Sequence, residues 1–437
     1  MNSPYTCVAI METARPSTVS ALHRQVLFVT TEPLPPPYHS LRELYGRILP
    51  AQGISVGWVG TASPGLLHVP DDWSPPGQTW RLPTQRGTGG LAMFGGHLSR
   101  YHQTAALRRA VARGDWDVVQ VRDDPWLGCL FADACAVSST PFIFQLSHLK
   151  EEETLLHARR GLYGSRATNL VKALVALALR HQVLRRASLT LAISDAMSAY
   201  IARGGLLRLS RPAGPIVVLP EGAPAHLTTL RVDRAGARRR LGLGDGPVLI
   251  YLGTLARIRE LDILFPVLRI LRRQSPTLTL LMGGEGNIAG DREFLEQRAR
   301  AEQVDGNVRF IGAVPLDATP DFIAAADVGL SPLPPNMVLW HNSPIKLFEY
   351  LAMGIPVVGS AIPEQETVLA ESGAGFAVDH TVEAFVTAIN DILSHPAEAG
   401  RRGAAGRAYI RAYRTFDVLA DRLTGAIDRL VPTPASV

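Results

Sequence analysis

A regular alternation of short apolar runs with segments of helical periodicity extends from Val26 almost to the end of the chain. Such an alternation favours an α/β fold with parallel sheets. Residues 98–113 and 168–186 are examples of the helical segments. The predicted strands are residues 26–31, 54–59, 117–121, 141–146, 189–194 and 216–219 in the first half, and 248–252, 278–282, 308–311, 328–331 and 356–360 in the second.

The length of 437 residues fits two domains of ordinary size, and each half of the chain carries its own set of strands. We therefore predict two Rossmann-like domains whose parallel sheets face each other across a cleft. The predicted divisions are a flexible N-terminal extension (1–24), a first Rossmann-like domain (25–225), a second Rossmann-like domain (226–410) and a C-terminal helix (411–437).

The net charge of +5 suits nucleic acid, an anionic membrane surface or small anionic substrates as partners. We exclude nucleic acid, because the sequence has no nucleic-acid-binding module and no run of Lys and Arg interleaved with aromatic residues. Cys7, Cys129 and Cys135 lack metal-ligand spacing and are too few for a disulfide scaffold, which favours a reducing, cytoplasmic compartment. No signal peptide and no apolar run near the ~20 residues of a membrane span is recognisable.

The most informative motif is the stretch 343–360. Pro344 is typical of the first turn of a helix, and Gly354 is typical of a left-handed helix end. Lys346 and Glu349 lie three residues apart on one face of that helix, close to an N-terminus that favours anions. A helix that is only capped and packed on a sheet is the alternative, but it leaves these two charged residues unexplained.

This motif resembles the donor-site helix of family 4 glycosyltransferases, which are retaining enzymes of the GT-B fold that use nucleotide-activated sugars. The resemblance implies that residues 25–225 bind the acceptor, that 226–410 bind the donor and that the C-terminal helix crosses back to the first domain. It implies that Glu349 binds the ribose hydroxyls, and that His341 stands where the family usually has a Glu that contacts the donor sugar. The other donor-binding candidates of this segment are Asn342, Ser343, Ile345 and Lys346.

A second candidate element is the turn that follows the predicted strand 248–252. In the family, an Arg directly after a glycine and a Lys five residues later clamp the diphosphate, whereas this chain has Thr254 after Gly253 and Arg259 in the second place. Arg259 still offers a planar, charge-assisted contact to phosphate, and Arg257 is a candidate replacement for the first cation. Two solvated surface arginines are the alternative.

The glycine-rich segment that contains Gly284 and Gly286 follows the strand 278–282 and resembles a dinucleotide fingerprint. A dehydrogenase is disfavoured, because the next predicted strand ends without the acidic residue that such a site requires. We expect these glycines to let the backbone approach a phosphate or sugar. Ile311 and Val314 belong to a segment that resembles the one whose backbone reads the nucleotide base.

In the first half, His148 follows the strand 141–146 and is, with Glu349, the catalytic candidate that the resemblance implies, since the family often places a His there against the donor sugar. Arg122 and Asp123 end the preceding strand and are predicted either to contact the acceptor or to pair with each other. The further acid–base candidates are Asp124 and Glu151. Pro37 and Tyr38 belong to a stiff, proline-rich loop that we expect to shape acceptor selection.

Residues 159–186 combine cations with Leu170, Val171 and Leu174. Such a segment fits either a helix packed on its own sheet or a basic amphipathic helix that lies on an anionic membrane. The second possibility would make a lipid-linked acceptor and a peripheral location on the inner face of the membrane more probable.

Together with this resemblance, which implies sugar transfer with retention, the sequence predicts a cytoplasmic glycosyltransferase that needs no metal or other cofactor. Its partners would be a nucleotide sugar and a carbohydrate, lipid-linked or small-molecule acceptor, as in polysaccharide biosynthesis. Two alternatives remain open, namely a nucleotide-sugar epimerase of the same fold and a non-catalytic nucleotide-binding or partner protein.

Overall fold

The computed structural model describes residues 24–62, 73–82, 90–206, 208 and 211–431, without the side chains of residues 90–95. The predicted N-terminal extension, including Cys7, therefore lies outside the described residues except for Arg24, which already belongs to the first strand.

The described residues contain two sheets in which every pair of neighbouring strands is parallel. The first sheet has the order β3-β2-β1-β4-β5-β6-β7 and the second β10-β9-β8-β11-β12-β13, so both contain the Rossmann succession 3-2-1-4-5-6. The strands are β1 Arg24–Leu34, β2 Ile54–Ala62, β3 Thr79–Leu82, β4 Val118–Arg122, β5 Phe142–Leu146, β6 Leu189–Ala192, β7 Ile216–Val218, β8 Val248–Leu252, β9 Thr279–Gly283, β10 Val308–Gly312, β11 Val328–Ser331, β12 Val357–Ser360 and β13 Gly375–Val378.

Helices connect successive strands and cover both faces of each sheet. They are α1 His39–Glu43, α2 Leu49–Ala51, α3 Gly90–Gln103, α4 Ala105–Ala112, α5 Pro125–Ser138, α6 Lys150–Arg160, α7 Arg166–Arg186, α8 Asp195–Ala202, α9 Arg234–Arg240, α10 Leu264–Leu271, α11 Asp291–Ala301, α12 Thr319–Ala325, α13 Ile345–Ala352, α14 Pro363–Ser372, α15 Val382–Ser394, α16 Pro396–Tyr409 and α17 Phe416–Leu430. Each helix of the described part of the chain is too short or too polar to cross a bilayer.

The central strands are buried on both faces, which explains why the sequence shows them as continuous apolar runs. In β1, Val26 and Phe28 pack into one core cluster while Leu27 and Val29 pack into another on the opposite face. Side chains alternate between the two faces of a strand, so one run of four apolar residues anchors two helical layers. The strands of the second sheet divide between two clusters in the same way.

The predicted α/β architecture of two facing Rossmann-like domains is confirmed, with two strands that the sequence analysis missed. Strand β3 is at the edge of the first sheet and has a single buried side chain, Leu82, while β13 is at the edge of the second and is only half-buried throughout. The predicted helix 98–113 is in fact two helices, α3 and α4, which meet at Thr104.

The C-terminal helix α17 packs against the first sheet, although it follows the second sheet in the chain. Phe416, Leu419 and Leu423 are buried in the cluster that contains Val26 and Phe28 of β1. The domain boundaries near residues 225 and 410 remain predictions, but this packing joins α17 to the first sheet.

Polar contacts join the two sheets' domains where the carboxyl ends of the strands face each other. The Ser194 hydroxyl donates to the His341 carbonyl oxygen at 2.7 Å, and the Tyr163 hydroxyl donates to the Asp291 carboxylate at 3.1 Å. Ligands of open α/β sheets bind beyond the carboxyl ends of the strands, so the functional site is expected in this cleft.

Candidate functional site

The helix α13 positions the charged pair that the sequence motif predicted. It begins at Ile345, which is itself half-buried, so Pro344 is the N-cap residue rather than a residue of the first turn. Gly354 has φ +75° and ends the helix in the left-handed conformation that favours glycine. Lys346 and Glu349 are each only 7% exposed, so their charges are enclosed at the N-terminal end of the helix.

The environment of Lys346 weakens its charged form. Its Nζ lies 4.9 Å from the ring centre of Tyr251, and a Cβ built at Gly253 would be 3.2 Å from the same nitrogen. Burial lowers the pKa of Lys346 and the charge of Arg259 lowers it further, while Glu349 acts in the opposite direction. An anion bound beside Lys346 would restore its positive charge, so this position favours a ligand such as a diphosphate.

Glu349 is held largely in its neutral form. Burial raises its pKa to about 8, against the effect of Lys346 and with a contribution from Glu221. His39 Nε2 lies 3.8 Å from Glu349 Oε1, and burial lowers the pKa of His39 to about 4, so this imidazole is neutral at neutral pH. The sequence analysis missed His39, although it is the residue directly after the proline-rich loop that was singled out.

The turn 253–259 carries two candidate cations, Arg257 and Arg259, whose surroundings differ. Arg259 is half-buried, and its charge acts on Lys346 and on Tyr38 of the opposite domain. The Arg257 guanidinium instead stacks on Phe294, with its carbon 4.6 Å from the ring centre, and its Nε is 3.5 Å from the Asp291 carboxylate. The charge of Arg257 is therefore already balanced by a buried carboxylate, and its predicted role as a replacement cation has no support from its contacts.

Glycines are needed where the ends of β8 and β9 meet. Gly284 has φ +130°, and a Cβ there would be 1.9 Å from the Gly253 carbonyl oxygen. A Cβ at Gly286 would be 2.4 Å from that of Asp291. The nearest partners of these glycines are thus other parts of the protein, and the expected close approach to a phosphate or sugar remains a prediction. The Thr254 carbonyl accepts a hydrogen bond from the Tyr251 hydroxyl at 2.9 Å.

The segment before α13 is anchored to the opposite domain through Ser343. Its hydroxyl accepts a hydrogen bond from the Glu221 backbone N–H at 3.1 Å and donates to Glu364 Oε1 at 3.2 Å. Asn342 Oδ1 accepts from the Ser343 N–H at 3.0 Å, so the Asn342 side chain shapes the approach to the helix.

His341 occupies the position of the family's sugar-binding Glu, but its contacts are with the protein. Its ring lies 4.6 Å from the ring of Tyr200, and its Nδ1 is 3.2 Å from the Met337 carbonyl oxygen. Burial lowers the pKa of His341, which favours the neutral ring that donates to this carbonyl. A contact between His341 and the donor sugar, as first predicted, would require these interactions to change.

The predicted base-binding residues are both half-buried, Ile311 within β10 and Val314 on the turn after it. The Ala313 N–H donates to Glu285 Oε1 at 3.2 Å, so Glu285 fixes this turn beside the glycine-rich segment.

On the first domain, Asp123 organises the ends of β4 and β5. It has φ +56°, and its Oδ1 accepts from the N–H groups of Ser147 at 2.7 Å and His148 at 3.3 Å. Burial opposes ionisation, but Arg122, Lys150 and the Ser147 hydrogen bonds lower the pKa of Asp123 overall. Since Asp123 also lies 3.8 Å from the Arg122 Nε, the second of the two predicted roles, mutual pairing, describes these residues.

His148 stands at the carboxyl end of β5, as predicted, with 29% of its side chain exposed. Its Nε2 is 2.6 Å from Glu153 Oε2, while His157 Nε2 is 3.6 Å from the other oxygen of that carboxylate. Burial opposes ionisation of Glu153, but the hydrogen bond from His148 and the neighbouring cationic groups lower its pKa. Glu153 therefore orients His148, and the sequence analysis missed this partner.

Both alternative acid–base candidates are held by contacts within the first domain. Asp124 caps α5, accepting from the Leu127 N–H at 2.9 Å, and lies 3.3 Å from Arg100. Glu151 is buried against Arg180, with 2.8 Å between Oε2 and Nη1. Both carboxylates thus stabilise the first domain, and a role of either as acceptor base remains a prediction.

The proline-rich loop faces the cleft with Tyr38, which is 37% exposed and caps α1, and with half-buried Pro37. Glu32, followed by burial, raises the pKa of Tyr38 to about 12. Next to them Glu221 is buried, and its Oε2 has no hydrogen-bond partner among the described residues. Its Oε1 accepts from the Ser40 hydroxyl at 3.5 Å, and burial raises its pKa to about 7.

Within the described part of the chain, no group of three or more His, Cys, Asp or Glu side chains could hold a metal ion. Independence from metal remains a prediction.

Comparisons with known proteins show that the chain is similar to glycosyltransferases. Residues 246–395 match the family model "Glycosyl transferases group 1". The chain is 33% identical over 217 residues to a GDP-mannose-dependent alpha-(1-6)-phosphatidylinositol monomannoside mannosyltransferase of Mycolicibacterium smegmatis, covering 48% of this chain and 56% of that protein. The protein of the same name from Mycobacterium tuberculosis is 29% identical over 254 residues, with 56% and 64% covered. The alignments thus span a little over half the length of these relatives.

Solved structures share the whole fold at low sequence identity. Sucrose-phosphate synthase from Thermosynechococcus elongatus has a TM-score of 0.73 at 20% identity, covering 93% of this chain and 99% of that one. Anabaena HepE in complex with UDP-glucose has a TM-score of 0.68 at 18% identity, with 93% and 100% covered. These structures confirm the predicted two-domain architecture, and the family model and sequence relatives confirm the resemblance to glycosyltransferases.

Proposed function

We propose that this chain, a family 4-like glycosyltransferase of the GT-B fold, moves a sugar from a nucleoside-diphosphate sugar to a hydroxyl acceptor with retention at the anomeric carbon. The observation that carries the proposal is the enclosure of Lys346 and Glu349 at the N-terminal end of α13, beside Gly253. Burial lowers the pKa of the Lys346 ammonium. A diphosphate bound at this helix terminus would supply the anion that stabilises its positive charge.

The chemistry follows from where charge develops. As the bond between the sugar and the diphosphate breaks, negative charge grows on the leaving phosphate, and Lys346, Arg259 and the first N–H groups of α13 stabilise it. Glu349 accepts hydrogen bonds from the ribose hydroxyls. His148, oriented by Glu153 at 2.6 Å, contacts the sugar from the opposite domain. Retention arises by front-face displacement, in which the acceptor oxygen attacks from the side that the diphosphate leaves and its proton passes to the departing phosphate oxygen.

We propose GDP-mannose as the first donor to test, because the mannosyltransferases to which the chain is similar depend on it. By the same likeness the acceptor is a lipid-linked glycan, and the enzyme works in the cytoplasm on the inner face of the membrane. Tyr38 and Pro37 line the acceptor side. No cofactor takes part besides the nucleotide sugar.

A nucleotide-binding protein without transferase activity is the second candidate. It is favoured by His341, whose ring is engaged with Tyr200 and Met337 where the family has a sugar-binding Glu. An epimerase is less well supported, since it has no comparable observation in its favour.

Thermal unfolding with GDP, UDP, dTDP and ADP, in the presence of EDTA, tests the donor site. A nucleotide at about 100 times its dissociation constant should stabilise the protein by about 2.7 kcal/mol. We expect stabilisation by one nucleotide, GDP first, which is lost in Glu349→Gln and in Arg259→Gln. Arg298→Gln is the matched control, because Arg298 lies on α11 of the same domain and its guanidinium is paired with the Asp262 carboxylate at 3.3 Å. Failure of all four nucleotides to stabilise the protein would contradict the proposal.

Incubation with GDP-mannose and membrane lipid extract then separates the candidates. A mannosylated lipid, formed by the wild type and absent with Glu349→Gln, supports transfer. Nucleotide binding without any product in the presence of acceptors favours the non-catalytic candidate, and conversion of the nucleotide sugar without acceptor favours the epimerase.

A further inference from the structure

Helix α7 exposes an apolar stripe that its own domain does not use. Leu170, Val171, Leu174 and Val175 are 47–61% exposed. They recur at the spacing i, i+1, i+4, i+5, which places them on one face of the helix. Helix α7 packs within its own domain through other residues, among them buried Ala173, Leu177 and Val183, so the described part of the chain leaves this stripe uncovered.

An apolar recess continues the stripe. A cavity of about 440 Å³ lies between α6 and α7 and is also lined by Met337 of the second domain. This volume is within the ~300–1,000 Å³ of small-molecule sites. Its apolar walls are formed by Leu155, Ala158, Ala167, Leu170, Leu206 and Met337.

The recess and the cleft are on opposite sides of α6. Leu155 lines the recess, whereas Glu153, two residues earlier, binds His148 in the cleft. Residues two apart on a helix point in nearly opposite directions. A molecule held in the recess is therefore one helix away from the proposed sugar-transfer site.

Cations without a carboxylate partner in the described part of the chain lie beside the stripe. Between Thr154 and Ser194 the sequence has no Asp or Glu but has seven Arg and Lys residues: Arg159, Arg160, Arg166, Lys172, Arg180, Arg185 and Arg186. Three of them are paired with carboxylates of other segments, namely Arg160 with Glu260, Arg180 with Glu151 and Glu152, and Arg186 with Asp133. Arg159 and Arg166 line the recess, and neither has a carboxylate partner among the described residues. The combination of exposed apolar side chains with flanking cations fits the interface of an anionic bilayer.

We propose that this surface, formed by the α7 stripe and the recess with Arg159 and Arg166, docks on an anionic phospholipid leaflet, and that the recess takes up an acyl chain from it. A second copy of the chain is a poorer occupant. A two-fold interface would place the patch against itself and bring Arg159 and Arg166 close to their own copies. Resting on the proposed function, this assigns the acceptor to the lipid-borne class.

Flotation with vesicles provides the test. The full chain is mixed with vesicles of phosphatidylcholine alone or with phosphatidylglycerol, at low and high salt. We expect binding to the anionic vesicles only, weaker at high salt because the cations are exposed. Leu170→Ser/Leu174→Ser and Arg159→Glu/Arg166→Glu should each weaken binding by more than about tenfold, since even ~1.4 kcal/mol of lost burial or attraction is a factor of ten.

Matched controls come from other surfaces of the chain. Val137→Ser removes an apolar side chain that is 74% exposed, and Arg239→Glu reverses a cation whose side chain is 73% exposed. Both should bind vesicles like the wild type. Ala167→Trp fills the recess and should reduce binding while leaving the stripe intact.

The outcomes are distinguishable from those of the donor test. Nucleotide stabilisation retained by the variants shows that they fold, whether or not they bind vesicles. Absence of binding to anionic vesicles, or equal loss in the two controls, would overturn the proposal. It would also be overturned if Leu170→Ser/Leu174→Ser converts a dimer into a monomer without a change in vesicle binding, since the surface would then join two copies.

Discussion

At the residue scale, the cleft is built from ionisable groups whose environments oppose their usual charge. Burial lowers the pKa of Lys346 and raises the pKa of Glu349 to about 8 and that of Glu221 to about 7. Such shifts cluster at functional sites because a charge without a partner is costly until a ligand arrives. The site is thus prepared for an anionic ligand at the expense of stability.

A substitution of Glu221 measures how much such a group lowers the stability of the protein. Its pKa is raised above the ordinary 4.5, so between about pH 4.5 and 7 the folded state binds more protons than the unfolded state. Stability contributed by this group therefore falls as the pH rises through that window. We expect Glu221→Gln to gain stability relative to the wild type from pH 4.5 to 7, by about 3 kcal/mol at most, and to keep a constant difference above it. Thermal unfolding across pH measures this.

Ser40→Ala provides the companion variant. The Ser40 hydroxyl donates to Glu221 Oε1 and holds the pKa of Glu221 down, so its removal should extend the window to higher pH. A difference between Glu221→Gln and the wild type that does not change with pH would contradict the assignment.

The individual residues of the site were predictable only where a local motif contained them. Lys346 and Glu349 were found because helix start, charge spacing and helix end are all encoded within 343–360. His39 and Glu153 were missed, because their roles depend on contacts between segments that are separate in sequence or on the geometry of a loop. The sequence shows that His341 stands where the family usually has a Glu, but it does not show that the ring of His341 contacts Tyr200 and Met337.

At the element scale, the sequence predicts the buried strands and misses the exposed edges. Central strands such as β8 are buried on both faces and appear as uninterrupted apolar runs. Strand β3 carries Thr79, Trp80 and Arg81 with a single buried Leu82, so it lacks that pattern and is formed by pairing with β2. The sequence indicated that helices lie between the strands. It left open which face of α7 packs against the core, and the structure was needed to identify that face.

Helix α17 is the element whose packing a substitution can test. Leu423 is fully buried in the core of the first sheet, together with Phe416 and Ile427. We expect Leu423→Ala to lower the free energy of unfolding by about 2–5 kcal/mol, through lost burial and a residual cavity. Its exposed neighbour is the control, since Arg422→Ala should change stability by less than about 0.5 kcal/mol. Equal effects in denaturant unfolding would show that α17 does not pack as described.

At the scale of the whole molecule, the two domains divide the proposed reaction. The diphosphate candidates Lys346 and Arg259 belong to the second domain, while His148 and Tyr38 belong to the first. The contacts between the domains are both polar and apolar, since the Ser194 hydroxyl donates to the His341 carbonyl while Ala256, Ile258 and Val338 of the second domain belong to a core cluster of the first. Closure of the cleft would bring His148 to the sugar and exclude water from it.

This division predicts separate effects of cleft variants on binding and transfer. His148→Ala should keep nucleotide stabilisation, because His148 is held by Glu153 of the first domain, but should lower kcat of sugar transfer about 10²-fold or more by removing a donor to the reacting sugar. His157→Ala is the matched control, since His157 lies 3.6 Å from the same carboxylate and its ring packs edge-on against Tyr163, and it should change kcat by less than about threefold. Equal losses in the two variants would mean that Glu153, rather than His148, carries the effect, and loss of nucleotide stabilisation in His148→Ala would place this residue in donor binding instead of transfer.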